Sequence, residues 1–133
     1  TQPIMMRLKS DLVELIEHGI NGTLDRIDAE WDRRVALGVV LAAQGYPDAP
    51  RKGDAIHGLE RAAAIDDAHV FHAGTAEGDG GAVVVSGGRV LCVTALGDTV
   101  KIAQKRAYEA ADAIAFDGMQ LRRDIGWRAL KKA

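Results

Sequence analysis

The sequence predicts an α+β fold, with strands in the middle and helices at both ends. Three observations carry this expectation. Residues 35–43 (VALGVVLAA) form an unbroken apolar run rich in β-branched side chains. Short apolar runs after it are separated by the turn-forming glycine clusters GDGG and SGG. Both ends instead space their apolar residues by three and four. The length of 133 residues suits one domain with an appended helix and needs no disulfide or metal to fold.

At the N-terminus, Ile4, Met5, Leu8, Leu12, Leu15 and Ile16 line one face of an expected helix over residues 1–17. Pro3 suits a first turn and Gly19 a stop. Asp11, Glu14 and Glu17 read as its solvated face. The polar stretch 21–34 marks a boundary. The run 35–43 reads as a strand buried on both faces, because no polar residue interrupts it. Residues 44–54 (QGYPDAPRKGD), with two prolines and two glycines, form a long loop of the kind that carries function.

Strands are expected at 55–58, 69–74, 82–85 and 89–95, the last three as a meander or hairpins. A helical turn is expected within 60–66. Asp98 or Thr99 caps a helix over 100–114 whose small residues let it lie close on a sheet. Asp117-Gly118 is a turn, and Asp124 caps a final helix reaching Leu130.

Several function classes are disfavoured. A net charge of -2 gives no general attraction to nucleic acid or to anionic membranes. No apolar run approaches the roughly 20 residues of a membrane span. The single cysteine, Cys92, lies in an apolar run, and the cytoplasm is the expected compartment. Asn21-Gly22-Thr23 matches a glycosylation sequon and is expected to be a chance match. His69 and His72 are three apart on a strand and should face opposite ways, which argues against a metal pair. There is no G-x-S-x-G elbow, no P-loop and no G-x-G-x-x-G. The segment GGRVLCVTALGDT resembles a strand–helix phosphate corner, but Asp98 already places a negative charge at that helix start. Arg7, Lys9, Arg33, Arg34, Arg51, Lys52, Arg122 and Arg123 are basic residues that read singly as surface charges.

Eight segments in colinear order are more specific: RLKSDLVEL, WDRR, VVLAAQGYP, KGDAIHGL, VFHAGT, GGRVLCVTALGDT, AQKRAY and RRDIGWRAL. Together they resemble the C-terminal third of the phosphoribosylamine–glycine ligase (glycinamide ribonucleotide synthetase) family, within the ATP-grasp superfamily. The resemblance implies a carbon–nitrogen ligase of purine biosynthesis that works through glycyl phosphate. It implies a division into residues 1–30, the last helix and linker of an ATP-grasp domain, and 31–133, a small antiparallel β-rich C-terminal cap domain flanked by helices. It also implies ATP with magnesium or manganese in the intact enzyme, and neither bound by this chain alone. The partners implied are the remainder of the ligase and the small molecules glycine and phosphoribosylamine.

In the family, Thr-Gln-Pro follows an Arg-Phe-Gly-Asp-Pro-Glu signature, so the chain is expected to begin just after that signature and to lack catalytic residues. Substrate contacts are expected from Arg7 and Lys9, for the ribose phosphate, and from Gly45, Tyr46 and Pro47. His72, Gly74 and Thr75 are expected to line the cleft and Arg123 to brace it. Gln44 departs from the small residue expected before Gly-Tyr-Pro. Two alternatives stand beside this reading. One is a free-standing, non-catalytic β-rich interaction module. The other is a related ATP-grasp enzyme acting on a different amine.

Overall fold

The computed structural model describes residues 1–131. Its centre is a three-stranded antiparallel sheet in which β5 (Arg89–Gly97) lies between β1 (Val35–Ala42) and β2 (Ala68–His72). β5 is buried along its whole length except at Arg89. Its sequence, RVLCVTALG, has the aliphatic and β-branched content that a strand covered on both faces requires. A small hairpin of β3 (Thr75–Glu77) and β4 (Val83–Val85) forms a second sheet.

One face of the large sheet is covered by α4 (Val100–Ala113). Thr99 starts this helix: its Oγ1 accepts the Ile102 N–H at 3.2 Å. Ala103, Ala107, Ala110 and Ala111 are fully buried. With only methyl groups on that face, the helix settles against Leu37, Val39, Leu41, Val93 and Ala95, and this contact is the core. The other face is covered in part by α1 (Gln2–Arg7), whose Pro3 lies over Gly38.

The α+β class, the turn at α3 (Leu59–Ala63) and the helix α4 agree with expectation. Five details differ. First, the helix expected over 1–17 is two helices, α1 and α2 (Leu12–Ile20). Leu8 is extended and bridges Trp31, and the Lys9 N–H donates to the Glu30 carbonyl at 2.9 Å. Asp11 then restarts the helix, its Oδ1 accepting from the Val13 N–H at 2.7 Å. Ser-Asp is a start signal inside an apolar pattern that keeps its phase by coincidence. α2 also passes the expected stop at Gly19 and ends at Ile20.

Second, β1 is an outer strand rather than one buried on both faces: Val39 and Leu41 are inaccessible, while Val40 is 41% exposed. The short helix α1 does not cover the whole of that face. Third, no meander forms. β2 and β1 both pair with β5, and β3, unforeseen, pairs with β4 around the GDGG turn. Fourth, residues 55–58 make two isolated bridges, Ala55 to Val84 and His57 to Ala115, and no strand. Fifth, the last helix, α5 (Trp127–Leu130), is a single turn entered from Gly126, and the Asp124 side chain pairs with Arg122 instead of capping it.

Candidate functional site

Three chain segments meet where β1 and β2 end and β5 begins. After β1, the Ala43 N–H donates to the Gly88 carbonyl at 2.8 Å, and the Tyr46 ring packs against Gly88. The Tyr46–Pro47 peptide is cis and Gly45 has φ +81°. After β2, the Ala73 N–H donates to the Val90 carbonyl at 3.0 Å and the Gly74 N–H to the Arg89 carbonyl at 2.9 Å. The Gly74 carbonyl accepts from the Ser86 and Gly87 N–H groups at 2.8 and 3.2 Å. His72 Nδ1 and Thr75 Oγ1 are hydrogen-bonded at 3.1 Å. Tyr46 and Gly74, far apart in sequence, therefore meet at the turn at residues 87–89, with Gly45 and Pro47 flanking the first and His72 and Thr75 flanking the second.

The other expected contacts lie elsewhere. Arg7 Nε donates to the Asp32 carbonyl at 3.0 Å, beside the start of β1, and Lys9 follows on the same side. β1 runs from there to the loop at residues 45–47, a separation of roughly 20–25 Å at ~3.3 Å per residue. Arg123 pairs with Asp112 of α4 at 2.6 Å and stacks over Tyr108, on the helix-covered side of the sheet. It braces α4, away from the glycine turns.

His69 and His72 both border one cavity of about 310 Å³ with Leu59 and Glu60, although alternation predicted opposite faces. β2 is an edge strand, so a cavity at its rim is reached from both sides. Among the described residues, no three His, Cys, Asp or Glu side chains converge to hold a metal ion. No helix of the described residues is long and apolar enough to cross a membrane.

A second cavity, about 340 Å³, adjoins the gathered turns. Thr1, Gln2, Val40, Ala73, Arg89, Leu91 and Cys92 line it. Arg89 is its charged residue. The sequence signal for it is slight: a lone cation between a glycine pair and an apolar strand. In the sequence it reads only as the first residue of the strand expected at 89–95.

At the opposite end of the sheet, Arg34 reaches Asp32 and Asp67, both at 2.8 Å, and Arg106 reaches Asp67 at 3.0 Å. The Arg34 hydrogen bonds hold the Asp32 carboxyl down at about 2. This network ties the starts of β1 and β2 to α4 and contributes no free charge to a ligand.

The comparisons agree with this architecture. The family profile described as "Phosphoribosylglycinamide synthetase, C domain" matches residues 36–128. The chain is 54% identical over 132 residues to a phosphoribosylamine–glycine ligase of Ralstonia nicotianae, covering 99% of this chain and 31% of that protein. It is 57% identical to one of Escherichia coli O157:H7, covering 99% and 30%. The crystal structure of a phosphoribosylamine–glycine ligase from Thermotoga maritima superposes with a TM-score of 0.71 at 40% identity, covering 85% of this chain and 27% of that one. The chain thus spans about 30% of the length of the curated relatives it matches. A sheet, helix and loop arrangement shared with that structure, and a profile matching most of the chain, place it in the phosphoribosylglycinamide synthetase C-domain family.

Proposed function

We propose that the chain is the C-terminal part of an ATP-dependent ligase that joins glycine to phosphoribosylamine, and that it is not catalytic by itself. The observation that carries this reading is the match along 99% of the chain to about 30% of ligases bearing that name. In the intact enzyme, a glycine carboxylate oxygen takes the γ-phosphoryl group of ATP, releasing ADP. The amine of phosphoribosylamine then attacks the acyl carbon, phosphate leaves, and the amine gives up a proton. ATP and its magnesium or manganese belong, on this reading, to the remaining two-thirds of the protein. The cytoplasm is its compartment.

Residues 1–30 belong with that remainder, and residues 31–133 form the cap. Support comes from the surface of α2, where Leu12, Val13, Ile16 and Ile20 are 44–79% exposed. No residue of α1 or α2 is buried. An unpartnered apolar stripe of this kind marks an interface.

The test compares the 133-residue chain with the intact protein. The intact protein is expected to form glycinamide ribonucleotide and the chain to form none. Calorimetry is expected to detect no tight MgATP binding to the chain. Tight binding there, or an intact protein inactive with phosphoribosylamine, overturns the proposal; activity with another amine points to a related ligase instead.

A further inference from the structure

Counting alternation back from Cys92 would put Val90 on the cavity face of β5 and Arg89 in the core. The pairing with β1 reverses this. Leu41 is opposite Leu91, yet Ala42 is opposite Arg89, so Val90 is an extra residue and the register shifts there. Such a bulge puts two consecutive side chains on the same side and re-aims the one before them. Val90 and Leu91 are both buried in the core cluster. Arg89 is exposed and borders the cavity of about 340 Å³ with Val40 and Cys92. Its carbonyl and that of Val90 meanwhile hold the segment at residues 73–74 by two backbone hydrogen bonds.

The guanidinium is also uncommitted. Among the described residues, Arg34, Arg51, Arg106, Arg122 and Arg123 each meet a carboxylate. Arg89 has neither an ion pair nor a side-chain hydrogen bond among those residues. Among the described lining residues Arg89 has the charged side chain, so the cavity offers an anion a partner. A phosphate ester suits the planar fork of arginine, and the volume lies within the range of small-molecule pockets.

We infer that Arg89 is the anchor for the phosphate of the phosphorylated-sugar substrate, held in the cavity between the start of β5 and the N-terminus of α1. This inference rests on the activity proposed above and assigns the substrate's phosphate to one residue.

The experiment uses the intact enzyme with Arg89→Ala and Arg89→Lys. In Arg89→Ala the KM for phosphoribosylamine is expected to rise roughly 10- to 100-fold, the loss of a charge-assisted hydrogen bond. The KM values for glycine and ATP are expected to stay within about twofold, the scatter expected without a lost contact. Arg89→Lys should recover part of the loss, because charge survives and the fork does not. Thermal melting should be unchanged, as the side chain is exposed. An unaltered KM for phosphoribosylamine, or an equal rise in all three, overturns the assignment. Ribose 5-phosphate binding by calorimetry separates this inference from the activity reading. If the wild type lacks ligase activity but binds ribose 5-phosphate and Arg89→Ala does not, the activity reading fails and the anchor stands. A wild type that does not bind ribose 5-phosphate overturns the anchor.

Discussion

Gly74 shows how one residue sets the shape of the candidate site. A methyl group there would stand 2.7 Å from Gly87 Cα and 2.8 Å from the Arg89 carbonyl oxygen, both backbone atoms that cannot swing away. Gly74→Ala is expected to cost about 1–3 kcal/mol, as overpacking does, measured by urea unfolding of the chain. Asp32 supplies a pH prediction. Its carboxyl, ordinarily near 3.8, is held at about 2, chiefly by the Arg34 side-chain hydrogen bond. A lowered pKa means that the ionised form is favoured in the fold. Its contribution is therefore complete above about 4 and is lost as pH falls through about 2. Asp32→Asn should flatten the stability–pH curve in that window and leave the curve above it parallel to wild type. Tyr46 and Gly74, with their neighbours, were legible as glycine-bearing loops flanking strands. Arg89 was not, because its direction depends on an extra residue that only the pairing with β1 reveals.

Among the elements, α4 was the most legible and α1–α2 the least. α4 has a capping Thr, a run of buried alanines and no competing start signal. Thr99→Ala removes the acceptor for the Ile102 N–H and is expected to cost about 1 kcal/mol, read from the urea midpoint at unchanged m. The N-terminal break was hidden because the apolar spacing continues across it, while the bridge between Leu8 and Trp31 is set by residues far along the chain. Strand partners were equally hidden. Glycine turns announce a neighbouring hairpin, as at β3–β4, but say nothing of β5, which pairs with two strands distant in sequence. Ile16, 52% exposed on α2, gives a further test. Ile16→Asp should change the stability of the 133-residue chain by no more than about 0.5 kcal/mol, as exposed sites do. In the intact protein the same change should lower the melting temperature clearly, because the proposed interface would bury a charge.

For the molecule as a whole, the apolar stripe on α2 predicts concentration-dependent self-association of the chain, visible by sedimentation and suppressed by Ile16→Asp. The large sheet also has a property that belongs to time rather than to space. Every pair in it joins residues distant along the chain: Val35 meets Gly97 after roughly 60 residues, and no tight turn connects its strands. The strand that both neighbours need is the last to be synthesised. On a ribosome, β1 and β2 must wait with open edges until β5 emerges, while the β3–β4 hairpin forms from local contacts within microseconds. Refolding of the chain, followed by stopped-flow fluorescence of its two tryptophans, should thus fall in the slow class of milliseconds to seconds. Mutations that weaken β5 pairing should slow that phase, and those confined to β3–β4 should leave it unchanged.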